Sequence, residues 1–245
     1  MKADPAVQRR LLELAEVDAE LARAEHRRRT LPVLAEITEI EQAVRSRHDA
    51  TVAVQSTLAD LDRDAKRQEK EIDAVRARED RDKALLDAGT LPTKQLADLE
   101  HELATLQRRQ SALEDDLLEL MERREAVQAD GQHAEVELAR AEEKLGEATK
   151  RRDEAFADID TVTARRGADR VRLVPRIDEP LLKLYEQCRA RGGIGAALLR
   201  ARKCGACRIE LDRSAIARIR DTAPDEVLRC EECGAIQVRT PESGL

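Results

Sequence analysis

From Leu96 to Val162 the apolar positions recur with a strict period of seven. One series reads Leu96, Leu103, Gln110, Leu117, Arg124, Gly131, Leu138, Leu145, Arg152 and Ile159. A second, three residues later, reads Leu99, Leu106, Leu113, Leu120, Val127, Ala134, Ala141, Ala148, Ala155 and Val162. Apolar residues at this spacing, with charges on the remaining faces, predict a coiled-coil helix. An upstream segment carries the complementary seam through Ile37, Val44, Thr51, Leu58, Ala65 and Ile72, with Ile40, Val54, Leu61 and Val75, broken by the polar Arg47 and Gln68. It ends at Asp87-Ala88-Gly89, where Gly89 suits the left-handed residue after a helix. Thr90-Leu91-Pro92-Thr93 restarts the helix. Two long helices joined by about five residues fold back as an antiparallel hairpin. A turn near Thr90 sets Leu85 by Leu96, Leu61 by Leu120, Val44 by Leu138 and small Thr51 by Gly131. The hairpin is expected to be on the order of 80 Å long.

A shorter amphipathic segment precedes it. Asp4-Pro5 forms a cap and first-turn proline, Val7, Leu11, Leu14, Val17, Leu21 and Ala24 mark its apolar face, and His26–Arg29 place cations at its end. Thr30-Leu31-Pro32 reads as a break. This helix is expected to cover the overhang of the downstream hairpin helix at Ala148, Ala155, Ile159 and Val162. After Arg165-Arg166-Gly167 the pattern loosens. Leu173-Val174-Pro175 reads as an extended linker, and a short helix opens at Asp178 or Glu179-Pro180 with Leu181, Leu184 and Cys188 on one face. The expected organisation is a hairpin domain over 1–166 (helices about 4–30, 33–88 and 93–166), a linker and short helix over 167–193, and a small β domain over 194–245. The expected fold class is mainly α, a long antiparallel coiled-coil hairpin with a small C-terminal β domain.

Composition sharpens this picture. Of 245 residues 39% are charged and 1% aromatic, with no Trp, so the apolar content suits a narrow seam more than a thick core. No apolar run approaches 18 residues, which argues against a membrane span, and the N-terminus lacks the apolar stretch of a signal peptide. A cytoplasmic location is expected. The net charge of −7 is uneven: residues 1–164 sum to −12 and residues 165–245 to +5. The basic residues Arg165, Arg166, Arg170, Arg172, Arg176, Arg189, Arg191, Arg200, Arg202 and Lys203 border the C-terminal domain. Arg165, Arg166, Arg170, Arg172, Arg200, Arg202 and Lys203 are the candidate contacts for nucleic acid or a partner, on charge density; the alternative is an ordinary Arg-rich surface that pairs with the acidic helices.

The chemistry lies at Cys204-Gly-Ala-Cys207 and Cys230-Glu-Glu-Cys233. Two C-x2-C turns place four thiolates around one metal ion. Gly205 and Gly234 are expected where the knuckles need unusual backbone angles. Candidate strands lie at 194–202, 208–211, 226–229 and 235–239, and a turn or helix at Ser214–Arg220 takes up the 22-residue spacer. Two disulfides suit an exported protein and a redox motif normally occurs singly; a rubredoxin-type iron site shares the ligand set, but such domains pack aromatics around the metal. One structural Zn2+ held by Cys204, Cys207, Cys230 and Cys233 is therefore expected, with no open position for catalysis. Cys188 reads as a small apolar residue in a buried helix face. His26, His48, His101 and His133 form no constellation, and no phosphate loop or nucleophile motif is present. The expectation is a protein without enzymatic activity or small-molecule substrate.

The stretches Asp82-Lys-Ala-Leu-Leu-Asp-Ala-Gly-Thr90, Leu96-Ala-Asp-Leu-Glu-His-Glu-Leu103 and Ser111-Ala-Leu-Glu-Asp-Asp-Leu-Leu-Glu-Leu-Met-Glu122, with the two cysteine knuckles, resemble the bacterial C4-type zinc ribbon domain proteins, and among them the actinobacterial branch. The resemblance spans nearly the whole chain. It implies a coiled-coil hairpin, a zinc ribbon and no enzymatic activity. The resemblance further implies a kinship with relatives in flagellated or secretion-competent bacteria, which act as adaptors linked to an alternative sigma factor, export components and messenger RNA. Here the last knuckle continues as Ala235-Ile-Gln-Val-Arg239, where the family often has an apolar, Tyr-containing strand. The expected function is a zinc-binding adaptor whose hairpin binds protein and whose ribbon contacts protein or nucleic acid. The alternative is an RNA- or DNA-binding regulator acting through its basic head.

Overall fold

The computed structural model describes residues 1–245. Five helices, α1 (Pro5–Arg29), α2 (Pro32–Asp87), α3 (Thr93–Leu173), α4 (Glu179–Gly192) and α5 (Arg213–Asp221), accompany four short strands, β1 (Ala196–Arg200), β2 (Lys203–Cys204), β3 (Leu228–Arg229) and β4 (Ile236–Val238). The chain divides into two compact units, one of Ala35–Thr149 and one of Met1–Leu34 with Lys150–Leu245.

The first unit is the helical hairpin. Its seam buries Ala65, Ile72, Val75, Leu103, Leu106 and Ala141, and Gly89 adopts a left-handed φ of +62° at the turn. Several polar side chains are bonded across it, while Glu79 Oε1 and Asp82 Oδ2, on the same face near the turn, are buried without a partner. The Gln68 amide donates to the Leu113 carbonyl at 3.2 Å, Arg124 donates to Asp62 at 2.5 Å, and Arg78 pairs with Glu102. Gly131 does not face Thr51, as pairing about a turn at Thr90 implied. A Cβ there would lie 3.2 Å from Val54 and 3.9 Å from Leu58. Away from the turn the register thus slips by a few residues, and Gly131 makes room for a branched side chain.

The second unit departs further from expectation. Instead of loosening at Gly167, α3 stays helical to Leu173, and the expected extended linker is a 3-10 turn at Val174–Arg176. Ion pairs one turn apart, Arg166 with Asp169 and Asp169 with Arg172, carry the helix past the glycine, and Pro175 ends it. Helix α1 covers the end of α3, where Arg28 pairs with Asp160 and stacks 4.5 Å over the Phe156 ring. It also enters the C-terminal core: Leu11 and Leu14 are buried with Ile177, Leu181, Tyr185, Cys188, Ala196, Ile236 and Val238. The expected separation of residues 1–166 from the C-terminal residues therefore gives way to one core that draws on α1, α4 and the sheet.

That core is organised by the one tyrosine. Tyr185 is fully buried, and its hydroxyl donates to the Asp18 carboxylate at 2.8 Å. Burial, reinforced by that carboxylate, pushes its ionisation far above the usual phenol range, so it remains a donor. Its ring lies against Gly195, where a Cβ would sit 2.5 Å from Cε2. Gly195→Ala is expected to destabilise the unit by about 1–3 kcal/mol, because a pinned, buried ring cannot yield. Gly167→Ala, at a helical site with open space around the Cβ, should instead stabilise by about 0.5–1 kcal/mol. Denaturant midpoints of the two variants decide this; equal midpoints would refute the packing argument.

Candidate metal centre

The sheet order is β2-β1-β4-β3, with β1 antiparallel to β2, parallel to β4, and β4 antiparallel to β3. The strands are shorter than expected. Of 208–211 only Glu210 bridges, to Lys203, and Glu226 bridges to Lys2 instead of extending β3. Asp212 caps α5 by accepting from the Ala215 N–H at 2.7 Å, and that bond, with one from Ser214, holds the Asp212 carboxyl below its ordinary range. Arg239 closes the other end, donating to the carbonyls of Ile219, Thr222, Ala223 and Glu226. The helix, strapped at both ends, spans the gap between the two knuckles.

The knuckles have matching hydrogen bonds. Cys204 N–H donates to the Ile209 carbonyl and Arg208 N–H to the Cys204 carbonyl; Cys230 N–H donates to Ala235 and Gly234 N–H to Cys230. In both, the residue after the second cysteine is left-handed, Arg208 at φ +62° and Gly234 at φ +76°. The expectation that Gly205 supplies the unusual angle is therefore corrected. Gly205 is needed for close approach, since a Cβ there would meet the Leu198 carbonyl at 2.6 Å. Arg208 bears the left-handed strain, and Arg208→Gly is expected to stabilise the knuckle by about 0.5 kcal/mol. Slower zinc loss to a competing chelator would show it; faster loss would contradict it.

The four sulfurs lie within 4.8 Å of one another, with Cys204–Cys233 at 3.8 Å and Cys207–Cys230 at 3.9 Å. A disulfide needs about 2.05 Å, so the pairs are not oxidised. A tetrahedron with Zn–S near 2.3 Å has edges of about 3.8 Å. The donor set fits one structural Zn2+ held by Cys204, Cys207, Cys230 and Cys233. Burial, with the neighbouring sulfurs and against one backbone N–H from Ala235, pushes the Cys233 thiol up to about 12. A divalent cation must displace those protons for the site to form. Cys188 lies apart, buried in the α1–α4 core.

The basic residues split into two groups. Arg166 bonds Glu20 through two nitrogens at 2.5 and 2.7 Å. Arg170 and Arg189 converge on Asp18, at 2.8 and 2.9 Å, and both also reach Glu186. Arg172 pairs with Asp169. Most of the expected contact residues on α3 are thus engaged internally; Arg165 is exposed and without a carboxylate partner. On the ribbon, Arg200 makes a loose pair with Glu242 at 3.7 Å. Arg202 and Lys203 are exposed and unpaired on a tight turn where Ala201 and Arg202 both have positive φ. Arg202 also lines an open groove of about 900 Å³ with Arg213 and Arg220. Those last two were absent from the sequence reading, because only the fold of α5 sets them beside the β1–β2 turn. Asp18 was missed as well: on a helix with many acids, nothing in its spacing distinguishes the buried one.

The CT398-like coiled coil hairpin domain model matches residues 14–193, and the C4-type zinc ribbon domain model matches residues 203–236. The chain belongs to this hairpin-and-ribbon family. A Mycobacterium tuberculosis (strain ATCC 25618 / H37Rv) protein described as uncharacterized is 47% identical over 239 residues, covering 98% of each chain. A Mycobacterium leprae (strain TN) protein of the same description is 38% identical over 226 residues, covering 92% of this chain and 97% of its own. Among solved structures, one from Mycobacterium smegmatis superposes with a TM-score of 0.89 at 46% identity, over 98% of this chain and 100% of that one. CT398 from Chlamydia trachomatis shares the fold, with a TM-score of 0.72 at 17% identity over 96% and 98%. No helix is long and apolar enough to cross a membrane.

Proposed function

We propose that this protein is a non-enzymatic, zinc-dependent cytoplasmic adaptor whose hairpin binds a protein partner and whose ribbon supplies a second contact. The observation that carries this reading is the cluster of four converging cysteine sulfurs. It occupies every position of a tetrahedral ion with protein ligands, so the metal has a folding role and none for substrate. The hairpin offers apolar surface of its own, with Leu118 64% and Met121 37% exposed one turn apart on α3. A second reading, an RNA- or DNA-binding regulator, is favoured by the unpaired Arg202, Lys203, Arg213 and Arg220 of the ribbon.

Capture of partners on the zinc-loaded chain, with and without nuclease, separates the two. The adaptor reading expects a defined protein to survive nuclease, to be lost with Leu118→Asp, and to withstand Arg202→Glu with Lys203→Glu. The regulator reading expects nuclease and the charge reversal both to empty the sample. It further expects removal of two phosphate contacts to shallow the slope of log K against log salt by about 1.4 for single-stranded ligand.

A further inference from the structure

The cleft between α5 and the β3–β4 edge holds a feature that neither folding nor zinc binding uses. Along β4, Ile236 and Val238 point into the α1–α4 core, so strand alternation turns Gln237 to the opposite face. There Gln237 is 2% exposed and lines a cleft of about 250 Å³ whose walls include Leu211, Ala215, Ile219 and Leu228. Its Nε2 has no hydrogen-bond partner. A buried amide donor among aliphatic side chains is destabilising unless an acceptor reaches it. At the rim Arg218 pairs with Glu231 at 2.8 Å. Arg229 donates only to the Gly234 carbonyl, at 3.2 Å, and meets no carboxylate. One guanidinium is thus left over at the mouth.

We propose that this cleft is a peptide-docking site, taking one branched aliphatic side chain of a partner polypeptide flanked by acidic residues. The aliphatic side chain fills the cleft, the adjoining main-chain carbonyl accepts from Gln237 Nε2, and a neighbouring carboxylate pairs with Arg229. Three observations select this occupant. The volume lies below the roughly 300–1,000 Å³ of small-molecule sites and suits a single anchoring side chain. No aromatic lines the cleft to stack an unpaired base. The net positive rim calls for an acidic flank, in line with the +5 balance of residues 165–245. This site names the ribbon's contact in the adaptor reading and rests on that reading.

The test is a titration of the full, zinc-loaded, 15N-labelled chain, following the Gln237 side-chain amide resonances. The probes are the capped tripeptides Asp-Leu-Asp and Asp-Ala-Asp and an oligouridylate. The leucine peptide is expected to move the Gln237 amide and the backbone signals of Leu211, Ile219 and Leu228, with a Kd below about 1 mM. The alanine peptide should bind about tenfold more weakly, and Gln237→Met should weaken the leucine peptide about fivefold. The proposal is overturned if the Gln237 amide contacts ordered water only and ignores every peptide, if alanine and leucine probes bind alike, or if only the oligouridylate moves these signals. An unresponsive cleft beside a nuclease-resistant protein partner would sink the docking site and leave the adaptor reading standing. Loss of both would sink the two together.

Discussion

Cys230→Ser is expected to dissolve the order of the two knuckles and of α5 while the hairpin of α2 and α3 keeps its helicity. Beyond β1 and β4, which share the α1–α4 core, the knuckles have little else to hold them. The ribbon's four strands have five, two, two and three residues, and α5 has nine. Helices that short are marginal alone, and strands that short add few ladder bonds. A structural zinc in such a setting contributes roughly 10–16 kcal/mol of apparent binding free energy, and that is folding free energy. Cys230 is buried, so serine leaves a polar hydroxyl where a thiolate completed the tetrahedron. Chelation of the wild type should produce the same state. Amide resonances of residues 203–235 should lose their dispersion in both samples, while β4 stays in the α1–α4 core and far-ultraviolet circular dichroism changes little because α2 and α3 dominate it. Dispersed ribbon signals in the metal-free variant would refute the claim that zinc holds this fold.

The second large effect is expected at Asp18. Its carboxylate is 5% exposed and takes the Tyr185 hydroxyl and the guanidinium groups of Arg170 and Arg189. It joins three helices, α1, α3 and α4, through a single side chain. Asp18→Ala strands one fully buried hydroxyl with no partner and two partly buried cations that keep only Glu186. Removing one member of a buried ionic cluster typically costs about 3–5 kcal/mol, and the sharing of Arg170 and Arg189 with Glu186 places the expected loss near the lower end. Tyr185→Phe supplies the check. In the wild type it breaks the bond to Asp18; in the Asp18→Ala background the hydroxyl is already unpaired, so its removal should cost less. Additive losses would mean that the tyrosine and the aspartate do not act as one unit.

These two residues also mark where the sequence was legible and where it was not. The cysteines announced their site because metal chemistry imposes a spacing that few other functions share. The hairpin was readable for a similar reason, since a seven-residue repeat sustained through α2 and α3 has one economical packing solution. Asp18 carried no such mark: its role depends on Tyr185 and Arg189, more than 165 positions away. The same distance hid the assignment of α1, whose Leu11 and Leu14 follow the helical period faithfully but pack against Ile236 and Val238 as well as covering α3. The end of α3 was misplaced because Gly167 lowers helix propensity, whereas the Arg166–Asp169–Arg172 ladder and the Asp18 cluster outweigh it. The basic cluster was legible as charge and not as surface. Only the fold separates Arg166 and Arg170, which are half-buried against Glu20 and Asp18, from the exposed Arg172, paired with Asp169, and from Arg202 and Lys203, which have no carboxylate partner.

X-ray absorption at the zinc edge of the full chain is the most direct test, because the non-enzymatic reading rests on a closed metal site. One zinc per chain is expected, with four sulfur neighbours near 2.3 Å and no oxygen or nitrogen in the coordination sphere. A spectrum with three sulfurs and one light atom would reveal an open position and contradict that reading.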